Sequence, residues 1–492
     1  GRGAMAAELA REALGHCKEI SEAVELDAAQ KKAIEESQKL LAEGKADEGL
    51  RKSLDAIATL SVHFTKAECK ATRDRAQKTV NKAIALCQGT NDQLGEAFST
   101  KASARIQVTK NRPEGAKKTA TQAAALFRMK GDKKNEASCM VTVVDAHLSR
   151  AALVGQPGHT RPYAQLQKTQ AQVEEDQKAE ALRYQEDAMN AAREVAELFR
   201  QANDKRGQAD MLCALADINI NMSEFERAKE VCMMARDLYL DVDDRKAAQK
   251  ALELEHTAHV QSMDAEEALN TALELVKMYR LANDKRGEAE GMFLVMKTHF
   301  QFGNCEELMK VGKDARAVCQ KANDVEMEGI ILDSMMKAQA FLENDEEALK
   351  LAEEAVEVFK KGGHKKGTAS AMHACAGIIL DKFFKESDAN VNTWRKSGFN
   401  ANLFKDYDME SYDKALAMVN DAEEIFQLLG DKDGQAQIDE TKQNITIRAT
   451  MLQEPDETKQ VVRDNRPIEV IHKWNIPDPE DIAEAALKDA EE

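Results

Sequence analysis

Aromatic residues make up 5% of this 492-residue chain, and proline occurs seven times. Four prolines (Pro455, Pro467, Pro477 and Pro479) fall within residues 454–492, so residues 1–453 hold three. Strands joined by frequent tight turns are hard to build from that composition. A collagen-like chain is excluded, because no Gly-X-Y period is present. No apolar run approaches the roughly 18 residues of a membrane-spanning helix. The nine cysteines are scattered, odd in number and without a CxxC pair. That excludes a disulfide scaffold and suits free thiols in a reducing, cytoplasmic compartment. Bases are outnumbered, 69 Lys+Arg against 87 Asp+Glu, for a net charge of −18. Such a chain repels phosphate backbones, which argues against a nucleic-acid partner.

Charged residues are abundant at 32%, alongside Ala and Leu. That mixture reads as long helices packed through small side chains. Self-comparison then exposes a repeat. Leu198–Ala209 (LFRQANDKRGQA) recurs as Met278–Ala289 (MYRLANDKRGEA), with weaker copies at Leu126–Ala137 and Ile425–Ala436. Its Asp serves as an anchor at Asp92, Asp132, Asp204, Asp244, Asp284 and Asp324; His364 takes the next place, and Asp431 follows. The spacing is 40 except for steps of 72 and 67, which are 40 plus inserts of 32 and 27. Sixteen residues before each anchor stands a small-residue triplet with offsets of 4 and 7, as in Ala116/Ala120/Ala123, Ala228/Cys232/Ala235 and Ala348/Ala352/Ala355. Those offsets share one helix face and let another helix approach closely. Large apolar residues precede the anchor (Phe127, Phe199, Tyr239, Tyr279, Phe359, Phe426) and would plug the next groove. Each unit therefore reads as helix A, a short turn, helix B and a polar loop. The anchor Asp is expected to cap the following helix, with Lys, Arg and Gly closing the preceding one.

This pattern resembles the tetratricopeptide repeat (TPR), in the lengthened form of about 40 residues found in Pins-type and kinesin-light-chain-type adaptors. The small-residue triplet of helix B matches. Helix A matches at Leu215-Ala216 and departs at Glu255-His256 and Val295-Met296. The resemblance implies an all-α, right-handed solenoid whose groove is lined by helix A. In this chain that lining is Lys101, Arg105, Asp217, Asn221, Phe293, Lys297, Phe300, Lys337 and Phe341. Chaperone-binding members hold a terminal carboxylate with a Lys/Asn clamp; Lys101 stands in the Lys place, but Arg105 replaces the Asn.

Residues 1–45 read as capping helices, 46–452 as the solenoid, and 453–492 as an acidic, proline-containing tail. Insertions near 150–184 and 384–411 both interrupt the turn from helix A to helix B. The second carries Trp394, Phe399, Phe404 and Tyr407, and the other tryptophan, Trp474, is in the tail. These aromatics either contact a partner or pin the loops to the array. Residues 454–492 contain 12 acids and 5 bases, a net of −7. Within them, Arg466–Pro477 is apolar and bounded by prolines. Ile471 and Trp474 are expected to dock on the solenoid, as a gate over the groove or as a permanent cap.

No residue set supports catalysis. Gly362–Thr368 has the glycine spacing of a phosphate-binding loop, but Thr368 stands where the lysine belongs. His256, His259 and His299 lack a metalloprotease spacing and fit interior polar packing better than a zinc site. No catalytic, cofactor-binding or metal-binding residues are expected. The chain reads as a non-catalytic scaffold that binds a peptide or helix in its groove. The alternative is a permanent structural subunit of a large assembly, held through the inserts and tail.

Overall fold

The computed structural model describes residues 2–154, 170–397 and 409–453. These form nineteen α-helices and, among the described residues, no strand. Two compact units divide the chain, Gly1–Ser262 and Met263–Glu492. The first holds α1 (Arg2–Ala23), α2 (Ala28–Ala42), α3 (Ala46–Leu60), α4 (Lys70–Gly89), α5 (Gln93–Thr109), α6 (Pro113–Met129), α7 (Lys133–Leu153), α8 (Gln170–Gln201), α9 (Lys205–Asn221), α10 (Phe225–Asp241) and α11 (Arg245–Gln261). The second holds α12 (Ala265–Leu281), α13 (Lys285–Gln301), α14 (Cys305–Ala322), α15 (Val325–Phe341), α16 (Asp345–Lys361), α17 (Lys365–Ser397), α18 (Met409–Leu429) and α19 (Lys432–Gln453). Apart from α3 and α4, helices consecutive in sequence pack on one another within each unit, and each unit is a solenoid of TPR-like helix pairs.

The period has a simple origin. A typical helix, such as α9, α10, α13 or α15, has 17 residues, about 25 Å of rise. A three-residue link follows, and two helices with two links make 40. Each anchor Asp caps the helix that follows it. Asp204 accepts from the Gly207 N–H at 3.0 Å, Asp284 from Gly287 at 3.0 Å and Asp324 from Met327 at 3.1 Å. Where the anchor is His364, its Nδ1 accepts from the Gly367 N–H at 3.0 Å, so an unprotonated imidazole nitrogen replaces the carboxylate. The expected caps are therefore present.

The closing of the preceding helix differs from the sequence expectation. It falls to the residue before the anchor, which is left-handed: Asn203 (φ 54), Asn283 (φ 54) and Asn323 (φ 52). Around it, the Asp204 N–H reaches the Phe199 carbonyl at 3.0 Å and the Asn203 N–H reaches Arg200 at 3.1 Å. That pair of bonds satisfies carbonyls that the helix end leaves free. The glycine lies instead in the first turn of the next helix A, where the ring preceding the anchor packs on it. A Cβ on Gly287 would stand 2.1 Å from Tyr279 Cδ1, and one on Gly434 would stand 2.4 Å from Phe426 Cδ1. The bases bridge successive repeats: Lys134 pairs with Asp204 at 2.7 Å, Arg206 with Asp244 at 3.2 Å, and Lys366 with Asp431 at 2.7 Å.

The small-residue triplets are buried as expected; Ala116, Ala120 and Ala123 have no exposed surface. Phe127 and Phe426 are almost wholly buried, each removing apolar surface worth about 1.5–3 kcal/mol. At the N-terminal end, α1 packs on α3 and α4, and α2 packs on α3. Both interrupted turns show lengthened helices. The 32-residue α8 includes the Gln/Glu/Lys stretch of the first insert, and the 33-residue α17 runs into the second. Arg150 on α7 holds α8 through Tyr184 Oη at 3.3 Å and Glu180 at 3.6 Å.

Candidate partner-binding cleft

Helix A repeats its positions along the chain, so residues nine and thirteen after each anchor stack into a ladder. In the second unit these are Phe293/Lys297 on α13, Asp333/Lys337 on α15, His373/Gly377 on α17 and Glu440/Asn444 on α19. Between α15, α17 and α19 lies a cleft of about 870 Å³. Ile330, Leu380, Phe384 and Ile445 supply its apolar surface, and Asp333, Lys337, His373, Gly377, Glu440 and Asn444 all line it.

Most charges in the cleft are satisfied locally. Lys337 pairs with Asp333 at 2.8 Å one turn earlier, and Lys366 pairs with Asp431. His364 Nε2 lies 3.6 Å from Glu326. His373 Nε2 lies 2.8 Å from Thr441 Oγ1, which ties α17 to α19. Burial pushes the His373 imidazole below the usual histidine range, so it is neutral at neutral pH. Glu440 and the half-buried Asn444 have no side-chain partner among the described residues. A Cβ on Gly377 would meet nothing within 4 Å. Its backbone is therefore open to the cleft at mid-helix, where glycine is otherwise unfavourable by about 1 kcal/mol.

The nine groove candidates are distributed unevenly. Lys337 lines the cleft, and Phe341 follows it on the same helix. Phe300 meets Phe341 edge-on with centroids 6.2 Å apart, Phe293 is half-buried, and Lys297 is exposed. In the first unit, Asp217 and Asn221 are exposed on α9. Lys101 is buried; its Nζ contacts Asp55 Oδ1 at 2.8 Å and Asn135 Oδ1 at 3.0 Å. Arg105 pairs with Asp145. Lys101 and Arg105 thus join α5 to α3 and α7. Phe399, Phe404, Tyr407, Ile471 and Trp474, and the side chain of Trp394, lie outside the described residues. Sequence reasoning passed over His373, Gly377, Glu440 and Asn444. The same register that selects Lys101 and Arg105 would have selected them had it been carried through the last two repeats.

Among the described residues, no three or more His, Cys, Asp or Glu side chains are grouped to hold a metal ion. No described helix is long and apolar enough to cross a membrane. Gly362–Thr368 forms an ordinary repeat link and the first turn of α17, with Gly363 left-handed (φ 68) and His364 as the cap.

No protein-family model matches this chain, and no curated protein matches it. Solved structures with some likeness include aspartyl phosphate phosphatase F from Bacillus subtilis, at 12% identity and a TM-score of 0.39, covering 86% of this chain and 94% of that one. A Rap protein complexed with competence and sporulation factor shows 12% identity and a TM-score of 0.35, with 82% and 99% covered. A signal-transduction ATPase with a tetratricopeptide repeat sensor, from Pyrococcus horikoshii, shows 13% identity and a TM-score of 0.32, with 86% and 73% covered.

Proposed function

We propose that this chain is a non-catalytic, cytoplasmic protein-interaction scaffold that holds a peptide in extended conformation in the cleft between α15, α17 and α19. The observation that carries this reading is that Gly377 and Asn444 line the same cleft. An open glycine lets an incoming backbone approach α17 closely. The Asn444 carboxamide in the same cleft offers both a donor and an acceptor to that backbone. Ile330, Leu380 and Phe384 then receive its apolar side chains, the usual division between backbone affinity and side-chain specificity. The peptide belongs to another protein or to this chain's own tail. A net charge of −18 speaks against nucleic acid.

Selection of a displayed peptide library on the full chain tests this. Selected peptides are expected to lose at least tenfold in affinity for Gly377→Leu, which retains the helix. Equal binding to both proteins would remove the cleft from consideration.

A second reading, a permanent subunit of a larger assembly, draws on Met233, Met234 and Leu240 of α10, which are about half exposed. A native mass far above 54.5 kDa in extracts, reduced by Met233→Ser with Leu240→Ser, would favour it.

A further inference from the structure

Taking the cleft as a peptide groove, we infer that its occupant in the free protein is residues 468–476 of this same chain. Four observations converge on that segment. Ile468, Val470, Trp474 and Ile476, with His472 in the middle of the series, alternate with Glu469, Ile471, Lys473 and Asn475. A period of two puts those four apolar side chains on one face of an extended chain. Pro467 and Pro477 bound the segment; each lacks an N–H and disfavours helix in the residue before it, which keeps the peptide extended.

Charge agrees with this placement. Residues 454–492 carry −7, yet Arg466–Pro477 contains Arg466, Lys473 and one acid, Glu469, for +1. Beyond its Lys–Asp pairs the cleft carries Glu326, 3.6 Å from the His364 imidazole, and Glu440, which has no side-chain partner among the described residues. Arg466–Pro477, net basic within an acidic tail, thus meets a net-acidic cleft.

Reach agrees as well. α19 lines the cleft at Asn444 and ends at Gln453. Nine helical residues rise about 14 Å, and residues 454–467 span up to about 45 Å when extended. The segment can therefore return antiparallel along α19 to Gly377. Tethering this short gives an effective concentration in the millimolar range, so even a weak peptide would occupy the groove and set a threshold for any competing partner.

The full-length chain carrying Trp394→Phe leaves Trp474 as its sole tryptophan, and acrylamide quenching of that tryptophan is the test. A docked Trp474 is expected to emit at shorter wavelength than the isolated 466–477 peptide and to be quenched several-fold less. Adding Gly377→Leu, or separately Val470→Asp, should restore peptide-like emission and quenching. Circular dichroism melts confirm that Gly377→Leu folds; if it does not, Val470→Asp decides alone, since it lies outside every described helix. Peptide-like quenching in the parent, or shielding that survives the substitutions, would overturn the inference. If Trp474 is free while library peptides still discriminate wild type from Gly377→Leu, this inference fails and the groove reading stands. If they do not discriminate, both fall.

Discussion

Gly287 shows how one missing methyl group sets the contact between consecutive helices. Its first-turn position on α13 sits beneath the ring of Tyr279 from α12, and a Cβ would fall 2.1 Å from that ring. Gly287→Ala raises helix propensity by about 1 kcal/mol but overpacks the contact by about 1–3 kcal/mol. Urea unfolding is expected to show net destabilisation, the reverse of what an exposed helical glycine would give. Asp204 yields a second residue-level prediction. Burial alone would raise its pKa, but the Lys134 ammonium and the Gly207 N–H outweigh that and hold the carboxyl below its ordinary value. A depressed folded pKa means that its stabilisation is complete above the unfolded value of about 3.9 and is lost as pH falls through the folded value. Asp204→Ala should therefore cost about 1 kcal/mol at pH 7, with the gap to wild type closing in strong acid. A gap independent of pH would show that the carboxylate charge is not what matters.

At the scale of the element, the helices owe their pairing to small side chains rather than to large apolar ones. Ala272 on α12 and Ala352 on α16 are buried in the core of the second unit, 0% and 1% exposed. Either changed to Phe is expected to lower the unfolding midpoint, through a cost of about 1–3 kcal/mol. Unchanged midpoints in both would show that the helix register is misassigned. The links are as regular as the helices. Each two- or three-residue link among the described residues carries one left-handed residue; at Ser223, Asp243, Met263 and Glu343 (φ 59) that residue is neither Asn nor Gly, and at Glu343 the conformation is strained. Glu343→Asn should stabilise α15–α16 by a few tenths of a kcal/mol to about 1 kcal/mol, because Asn tolerates this conformation better. Thermal unfolding checks the sign.

Across the whole molecule, the nine cysteines are unpaired, eight of them buried and Cys213 half-buried. Burial pushes Cys17, Cys139, Cys319 and Cys375 up to about 12 and Cys213 to about 11. Thiolates are therefore scarce at neutral pH. The native chain should react slowly with iodoacetamide, with Cys213 among the first to react. After denaturation all nine should react without prior reduction. Mass spectrometry that finds protected cysteines in the denatured, unreduced chain would refute this.

The cysteine chemistry was legible because scattered thiols without a CxxC pair need no geometry to interpret. The 40-residue period, the anchor Asp caps and the buried alanine triplets were legible for a related reason: each is a local pattern on one chain axis. Gly287 was misread as a helix closer because its partner, the Tyr279 ring, belongs to another helix. Lys101 was read as a groove lysine from its register alone, and only the packed fold places Asp55 and Asn135 around its ammonium. Register also marks His373 and Glu440 as equivalent to Lys101, and Gly377 and Asn444 as equivalent to Arg105. What register cannot say is which rungs close on each other and which stay open. That depends on how α15, α17 and α19 approach through space, with His373 bonded to Thr441 across 68 residues of chain. Periodicity along the sequence therefore determined the helices, their caps and their buried faces, whereas the cleft arose only when tertiary packing decided which polar side chains satisfied one another and which, like Asn444, were left facing open space.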